Sequence, residues 1–459
     1  MLDEKDPLRR LLRETYRIPS NLIEIIDQAE NAIQEEFALI DGRSAYNQLR
    51  LLHIFQENGI TDFHLNGSTG YGYGDAGRDA LERVYADYFG CGAALVRSQI
   101  VSGTHALAIG LYGNLKPGDE MISAAGSPYD TLQKIIGLRG ERDSLMESGV
   151  TYREIPIKVS HDAHGDNCGD KEEGVIDLPR LLQAVNDKTK LIFLQRSKGY
   201  QWRHSLTVAE LEKVISAVKA KKADAICLVD NCYCEMTEIR EPGETGADLV
   251  IGSLIKNPGG TLAPCGGYIA GGKDYVEACG RRLLAPGLHT DLGASLGFSR
   301  LAYQGLFQAP QTVCQSVKGA VLAAAFFQRL GYEVMPEAAG AGTSADSKEA
   351  DADWRRADRA RADIVQAIKL GDERKLARFC EAIQRACPVG ASFVPEPAEL
   401  PGYSHPVIMA GGGFIQGSSS ELSADGPLRP PYIAYLQGGF SLAQIRLGLL
   451  LAAAALALN

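Results

Sequence analysis

Hydrophobic and polar positions divide the chain into stretches of different period. Up to about residue 60 the apolar positions follow a helical repeat, clearest in "NLIEIIDQAENAIQEEFALI" (21–40), where they return every three or four residues. From about 61 to 305 the pattern changes to short apolar runs alternating with amphipathic ones. The runs AALV (93–96), EMIS (120–123), KLIFLQ (190–195), AICLVD (225–230), DLVIGS (248–253) and GYIAG (267–271) predict strands. Helices are predicted from segments that alternate with them, such as GRDALERVYADYF, TLQKIIGL and VAELEKVISAVKAKK. Alternation of this kind means an α/β fold with a mostly parallel central sheet covered on both faces by helices.

A helical stretch at roughly 310–330 leads out of this region. Residues 336–358, "PEAAGAGTSADSKEADADWRRAD", carry little apolar content and predict a flexible surface insertion. The remainder mixes helices and strands. The expected organisation is therefore an N-terminal helical segment (1–60), a large α/β domain (61–305) and a smaller α+β C-terminal domain (306–459) that contains the insertion. No internal repeat is visible.

Composition narrows the classes of function. The 459 residues are 45% hydrophobic and 23% charged, as in an ordinary globular protein long enough for a large core. A net charge of -10 gives no footing on a phosphate backbone, so nucleic-acid binding is set aside. The opening "MLDEKDPLRRLLRETYR" lacks the apolar core of a secretion signal, and "LGLLLAAAALAL" (447–458) is too short to span a bilayer. Ten cysteines are scattered singly, and the closest pair, Cys232 and Cys234, is C-x-C. These features predict reduced thiols in a cytoplasmic protein, with no membrane partner. His161, His164 and Cys168 in "HDAHGDNCGD" lie among Asp, Gly and Asn, which read as a mobile polar loop; no metal is expected. "AGGGF" (410–414) lacks dinucleotide-site spacing and marks only a close backbone approach.

The candidate chemistry sits where strands end. Ligands of open parallel sheets bind at the carboxyl ends of the strands. Asp230 closes one predicted strand, Ser253 and Lys256 follow another, and Gln195, Arg196 and Ser197 follow a third. Ser102-Gly103-Thr104 opens an apolar helix whose free N-terminal amides suit a phosphate. A lysine, a carboxylate and a phosphate cradle at one sheet edge match the needs of pyridoxal phosphate. The lysine carries the Schiff base, and the carboxylate keeps the ring nitrogen charged. A stacked aromatic ring would complete the clamp.

"SGTHALA", "GSPYDTL", "VDNCYCE", "GSLIKNPGG" and "QIRLG" occur in this order, and with them the chain resembles a fold-type I pyridoxal 5'-phosphate enzyme. More narrowly it resembles the methionine gamma-lyase-like, or aluminium resistance, family, distant relatives of the cystathionine beta- and gamma-lyases. "QRSKGYQWRHSLT", "QGLFQAP", "PGYSHPVIMAGGGFIQGSSSELSADGPLRPPY" and "YLQGG" belong to that narrower pattern. The likeness spans nearly the whole chain apart from 336–358.

The resemblance implies roles residue by residue. Lys256 forms the Schiff base and moves the substrate proton, and Asp230 pairs with the pyridinium nitrogen. Ser102, Gly103, Thr104 and Ser253 hold the phosphate. Tyr129 stacks on the ring and ranks with Lys256 among the catalytic residues. Ser197 or Gln195 touches the ring hydroxyl. Arg446, in "IRLG", grips the substrate carboxylate, a task suited to a planar bidentate donor. Tyr71 and Tyr73 reach the phosphate of a neighbouring subunit, which implies a homodimer or homotetramer. His105 reads as a packing or capping residue rather than a base. The cystathionine lyases usually carry Tyr-x-Arg in their N-terminal phosphate-binding segment, Met-Ala after Ser-Gly, and often Tyr after the lysine. Here glycines and tyrosines, Thr104-His105 and Asn257 stand instead, which leaves the substrate open.

The implied activity is carbon–sulfur bond cleavage in a sulfur amino acid of the methionine, cystathionine or cysteine type, by beta- or gamma-elimination. An aminotransferase or decarboxylase using the same cofactor is one alternative. A non-catalytic stress-related protein that retains the fold is another.

Overall fold

The computed structural model describes residues 6–158, 175–288, 290–338, 361–400 and 402–457. Three helices open the chain: α1 (Pro7–Glu14), α2 (Ser20–Ala32) and α3 (Gln34–Glu57). Helix α4 (Ala76–Phe89) is capped by Asp75 and ends at Gly90 in the left-handed region, and it leads into β1 (Ala93–Arg97). Then follow α5 (Gly103–Asn114), β2 (Glu120–Ser123), α6 (Asp130–Ile136), β3 (Thr151–Glu154), α7 (Leu178–Ala184), β4 (Thr189–Gln195), α8 (Val208–Lys221), β5 (Ile226–Asp230), β6 (Leu249–Ser253), β7 (Gly267–Gly271) and α9 (Lys273–Leu283).

These seven strands form one sheet in the order β1-β7-β6-β5-β4-β2-β3. Strands β2 to β6 pair in parallel, and β7 is antiparallel to both β6 and β1. The mostly parallel sheet expected from the alternating pattern is present. Strands β5, β6 and β7 are buried at every position, which is why their sequences are continuous apolar runs. Edge strand β3, "TYRE", has no apolar run and gave no signal in the sequence.

The central helix α10 (Phe298–Arg329) begins twelve residues before the predicted start near 310. Pro310 lies inside it; its ring removes one amide from the helix ladder, while its carbonyl accepts the Ser44 hydroxyl at 3.0 Å. Helices α2 and α3 pack against α10. The chain then builds β8 (Glu333–Met335), β9 (Val365–Lys369), α11 (Glu373–Arg385), β10 (Pro397–Ala398), β11 (Val407–Gly411), β12 (Ser423–Pro427), β13 (Ile433–Gln437) and α12 (Leu442–Leu456). Its six strands form a second, wholly antiparallel sheet in the order β10-β11-β12-β13-β9-β8, with α11 packed on it and on α12.

The expected insertion lies, beyond residue 338, outside the described residues, as do His161, His164 and Cys168. Among the described residues no three metal-ligating side chains cluster, the nine cysteines are all free, and no helix is long and apolar enough to cross a membrane.

Candidate active site

The turn after β6 explains why a lysine stands beside a run of glycines. Residues Asn257–Gly259 form a single tight turn, and Gly260 ends it at φ 52°. The turn is pressed on α10: a Cβ on Gly260 would lie 2.1 Å from the Gly305 carbonyl oxygen, and one on Gly305 would lie 2.2 Å from that of Gly259. Only hydrogen fits on either side. Asn257 anchors the same turn by donating to the Glu235 carbonyl at 2.9 Å. Upstream, Gly252 leaves room for the Tyr268 ring and the Glu235 carboxyl, both within 2.7 Å of where its Cβ would be. Lys256 is therefore held on both sides by close backbone packing, and it faces a cavity of about 980 Å³.

The carboxyl ends of β4, β5 and β6, the first turn of α5 and the second sheet line that cavity. It collects Ser102, Gly103, Thr104, Tyr129, Gln195, Ser197, Asp230, Ser253 and Lys256, nine positions singled out in the sequence. Ser102 caps α5 by accepting the His105 N–H at 3.1 Å, and the absent side chain of Gly103 lets that helix end approach Ser253, whose Cβ would be 3.1 Å from a Cβ there. The His105 ring accepts the Val101 N–H at 3.2 Å and does not line the cavity. Desolvation lowers its pKa.

Asp230 is buried at the end of β5 and accepts the Cys232 N–H at 3.1 Å. Burial raises its pKa, against the pull of Cys232 and Lys256. Lys256 is opposed by burial but held above the usual lysine value by Tyr233, Cys232 and Asp230, and its Nζ sits 3.2 Å from the centre of the Tyr233 ring. Tyr129 donates to the Thr104 hydroxyl at 3.1 Å, and its backbone N–H goes to Gln195 Oε1 at 2.9 Å. Burial, then the Asp230 charge, push its phenol well up, so it stays a neutral donor. Behind the lysine, burial pushes the Glu235 carboxyl up to about 8; it accepts the Tyr268 hydroxyl at 2.9 Å.

Two expected contacts are already occupied. The Ser197 hydroxyl donates to Asp363 Oδ2 at 3.1 Å, and the Gln195 amide donates to the Ser197 carbonyl at 3.2 Å. Neighbouring Lys198 is fully buried; it binds both oxygens of Asp363 at 2.7 and 2.9 Å and the Val365 carbonyl at 2.8 Å, joining the end of β4 to the start of β9.

Arg446 is not brought to the cavity, which corrects the sequence expectation. Near the start of α12 its guanidinium pairs with Asp27 and, at 2.6 Å, with Glu30 of α2. Two carboxylates on the neighbouring helix satisfy the charge that would have met a substrate. Tyr71 and Tyr73 are also absent from the cavity wall; they stand 72% and 68% exposed with ring centres 5.8 Å apart.

Segments after β4 and β5 and around the second sheet add residues that sequence reasoning passed over. Tyr200, Tyr233, Tyr403, Asp425 and Arg429 all line the cavity, and Arg429 is its one arginine among the described residues. The glycines of "AGGGF" serve close packing, as expected: a Cβ on Gly412 would meet the Val389 carbonyl oxygen at 1.8 Å, and one on Gly413 the Glu421 carboxyl at 2.2 Å. Glu421 accepts the Phe414 and Ile415 N–H groups at 2.8 and 3.0 Å and fixes that rim.

Comparison with known proteins identifies the family. The methionine gamma-lyase family model matches residues 22–457. The uncharacterized protein YnbB of Bacillus subtilis (strain 168) is 44% identical over 409 residues, 89% of this chain and 90% of that one. A carbon–sulfur lyase involved in aluminum resistance from Clostridium novyi NT is 40% identical with a TM-score of 0.86, covering 98% of this chain and 99% of that one. The pyridoxal-5'-phosphate-dependent protein YhfS from Escherichia coli, at 19% identity and TM-score 0.57 over 90% of this chain and 95% of that one, shares the fold. With a family model running through both sheets and the lysine turn between them, the chain belongs to the methionine gamma-lyase family.

Proposed function

We propose that this protein is a pyridoxal-phosphate carbon–sulfur lyase that cleaves a sulfur-containing amino acid by beta- or gamma-elimination. The observation that carries the reading is the meeting of half-buried Lys256 and buried Asp230 in one cavity, beside a capped helix end that a glycine opens to a phosphate. Asp230 fits the cofactor because a carboxylate whose burial penalises its charge gains from a cationic ring nitrogen. Family membership and the name of the Clostridium novyi relative support the same assignment.

When bound, pyridoxal phosphate supplies the electron sink for the pair left on the substrate's alpha carbon. The chain's own residues do the rest. Gly103 and Thr104 amides with the Ser253 hydroxyl would hold the phosphate, and Tyr129 would cover the ring. The Lys256 amine takes the alpha proton, and in a gamma route it also moves a beta proton. Once charged, it rests on the Tyr233 ring beneath Nζ.

With Arg446 committed to α2, the substrate carboxylate falls to Arg429, which lines the cavity and donates to the Tyr200 carbonyl at 3.0 Å. Arg429→Ala should lower kcat/KM by about 10–100-fold, mainly through KM, as expected for one or two lost charge-assisted hydrogen bonds. Arg446→Ala should change KM by less than about threefold. The reverse ranking in steady-state kinetics would return the task to Arg446.

We extend the proposal to a homodimer or homotetramer with shared sites. Exposed Tyr71 and Tyr73 belong to a loop that the 293–296 segment pairs with, Gly293 N–H on the Tyr71 carbonyl and the N–H of Leu296, 64% exposed, on the Ser68 carbonyl, and Val101, 70% exposed, directly precedes Ser102 of the cradle. The activity test is product analysis. Protein loaded with the cofactor and given L-methionine, L-cystathionine or L-cysteine should release thiol, ammonia and a 2-oxo acid with no amino acceptor present. Dependence on an acceptor would make it an aminotransferase. A spectrum unchanged by pyridoxal phosphate would make it a non-catalytic protein.

A further inference from the structure

The cavity holds a charged group that neither the cofactor nor the reacting end of a simple amino acid uses. Asp425 lies in the middle of β12 and lines the cavity wall. The Tyr200 hydroxyl at 3.0 Å and the Gln437 amide at 3.2 Å both donate to its Oδ2. Among the described residues no hydrogen bond reaches Oδ1, and no lysine or arginine forms an ion pair with the carboxylate. Burial raises its pKa, with Lys256 pulling the other way, so a further cation nearby would be favoured.

Its surroundings suit a cation in other ways. The rings of Tyr200 and Tyr403 line the same cavity with centres 6.0 Å apart, and aromatic faces attract ammonium groups. Tyr200 ties the carboxylate to its opposite charge: its hydroxyl holds Asp425, and its backbone carbonyl holds Arg429 two residues past the strand. The wall thus presents a carboxylate and a guanidinium from the β12–β13 hairpin, with one aromatic ring from the segment after β4 and another from the segment before β11. Methionine and cysteine carry a single ammonium, which in the reading above would be taken up by the cofactor beside Lys256 and so leaves none for Asp425.

We propose that Asp425, with Tyr200 and Tyr403, is a specificity site for a second ammonium on the substrate, so that the preferred substrates are thioethers or disulfides joining two amino acids. The proposal rests on the carbon–sulfur lyase reading for its chemistry, but the recognition can be measured without turnover.

Two measurements test it. Steady-state kinetics should give L-cystathionine a kcat/KM at least tenfold above that of S-ethyl-L-cysteine, a thioether with one ammonium. Asp425→Asn keeps an acceptor for Tyr200 and should cut that ratio at least tenfold, through KM. Calorimetry on the loaded wild-type protein should show L-ornithine binding at least tenfold more tightly than L-norvaline, its counterpart without the second amine. A ratio within twofold of wild type in Asp425→Asn, or equal binding of ornithine and norvaline, overturns the proposal. Absence of turnover with every sulfur amino acid would sink the lyase reading, while the ornithine comparison would still decide the role of Asp425.

Discussion

Lys256→Ala should remove the visible absorption that pyridoxal phosphate gives to the wild-type protein and should lower elimination by at least 10²–10⁴-fold, the range for loss of one positioned proton-transfer group. The reason lies in how the position is built. Lys256 is half-buried, faces the cavity between Asp230 and Tyr233, and is clamped by the Asn257–Gly259 turn against α10. The other lysine on the cavity wall, fully buried Lys198, spends its three donors on Asp363 and Val365 and cannot substitute. Absorption spectra and thiol release are the readouts, with a melting curve to show that the variant folds. A variant that keeps both the band and the activity would mean that another lysine carries the cofactor.

Gly260→Ala should have the largest effect on stability of any single change in the lysine turn. Its left-handed backbone costs a side chain about 1–2 kcal/mol. The added Cβ would also press within 2.1 Å of a backbone oxygen on α10, where no rotamer change can relieve it, and overpacking of that kind costs about 1–3 kcal/mol. Together these give a loss of about 2–5 kcal/mol, read as a lower denaturation midpoint. The control is Gly42→Ala. It lies in α3 with nothing within 4 Å of a new Cβ and no positive φ, and it should stabilise by about 0.5–1 kcal/mol. If Gly260→Ala denatures with Gly42→Ala, the close packing of the turn is not what holds the lysine.

The large sheet was legible because parallel strands buried on both faces write themselves as apolar runs. EMIS and GYIAG match β2 and β7 in full, and the other predicted runs fall within a residue of β1, β4, β5 and β6. The second sheet was not legible in this way. Strand β12 reads "SADGP", which has no strand-forming residue, and it exists because β11 and β13 flank it and α11 packs closely over Gly426. For the same reason Asp425 and Arg429 gave no signal, since their meaning depends on a cavity assembled from both sheets. Arg446 shows the opposite failure. Its motif matched, but the carboxylates that occupy it come from α2, more than four hundred residues away in sequence. Helix α10 was seen from Pro310 onward because proline reads as a boundary, while the buried turns before it carry the helix through.

The most direct test is to locate the cofactor on the chain. Wild-type protein loaded with pyridoxal phosphate is reduced with borohydride, digested, and its peptides are sequenced by mass spectrometry. The account predicts one phosphopyridoxyl group, on the Lys256 side chain within "GSLIKNPGG". A modification mapped to Lys198 or to any other lysine, or no modified peptide at all, would contradict it.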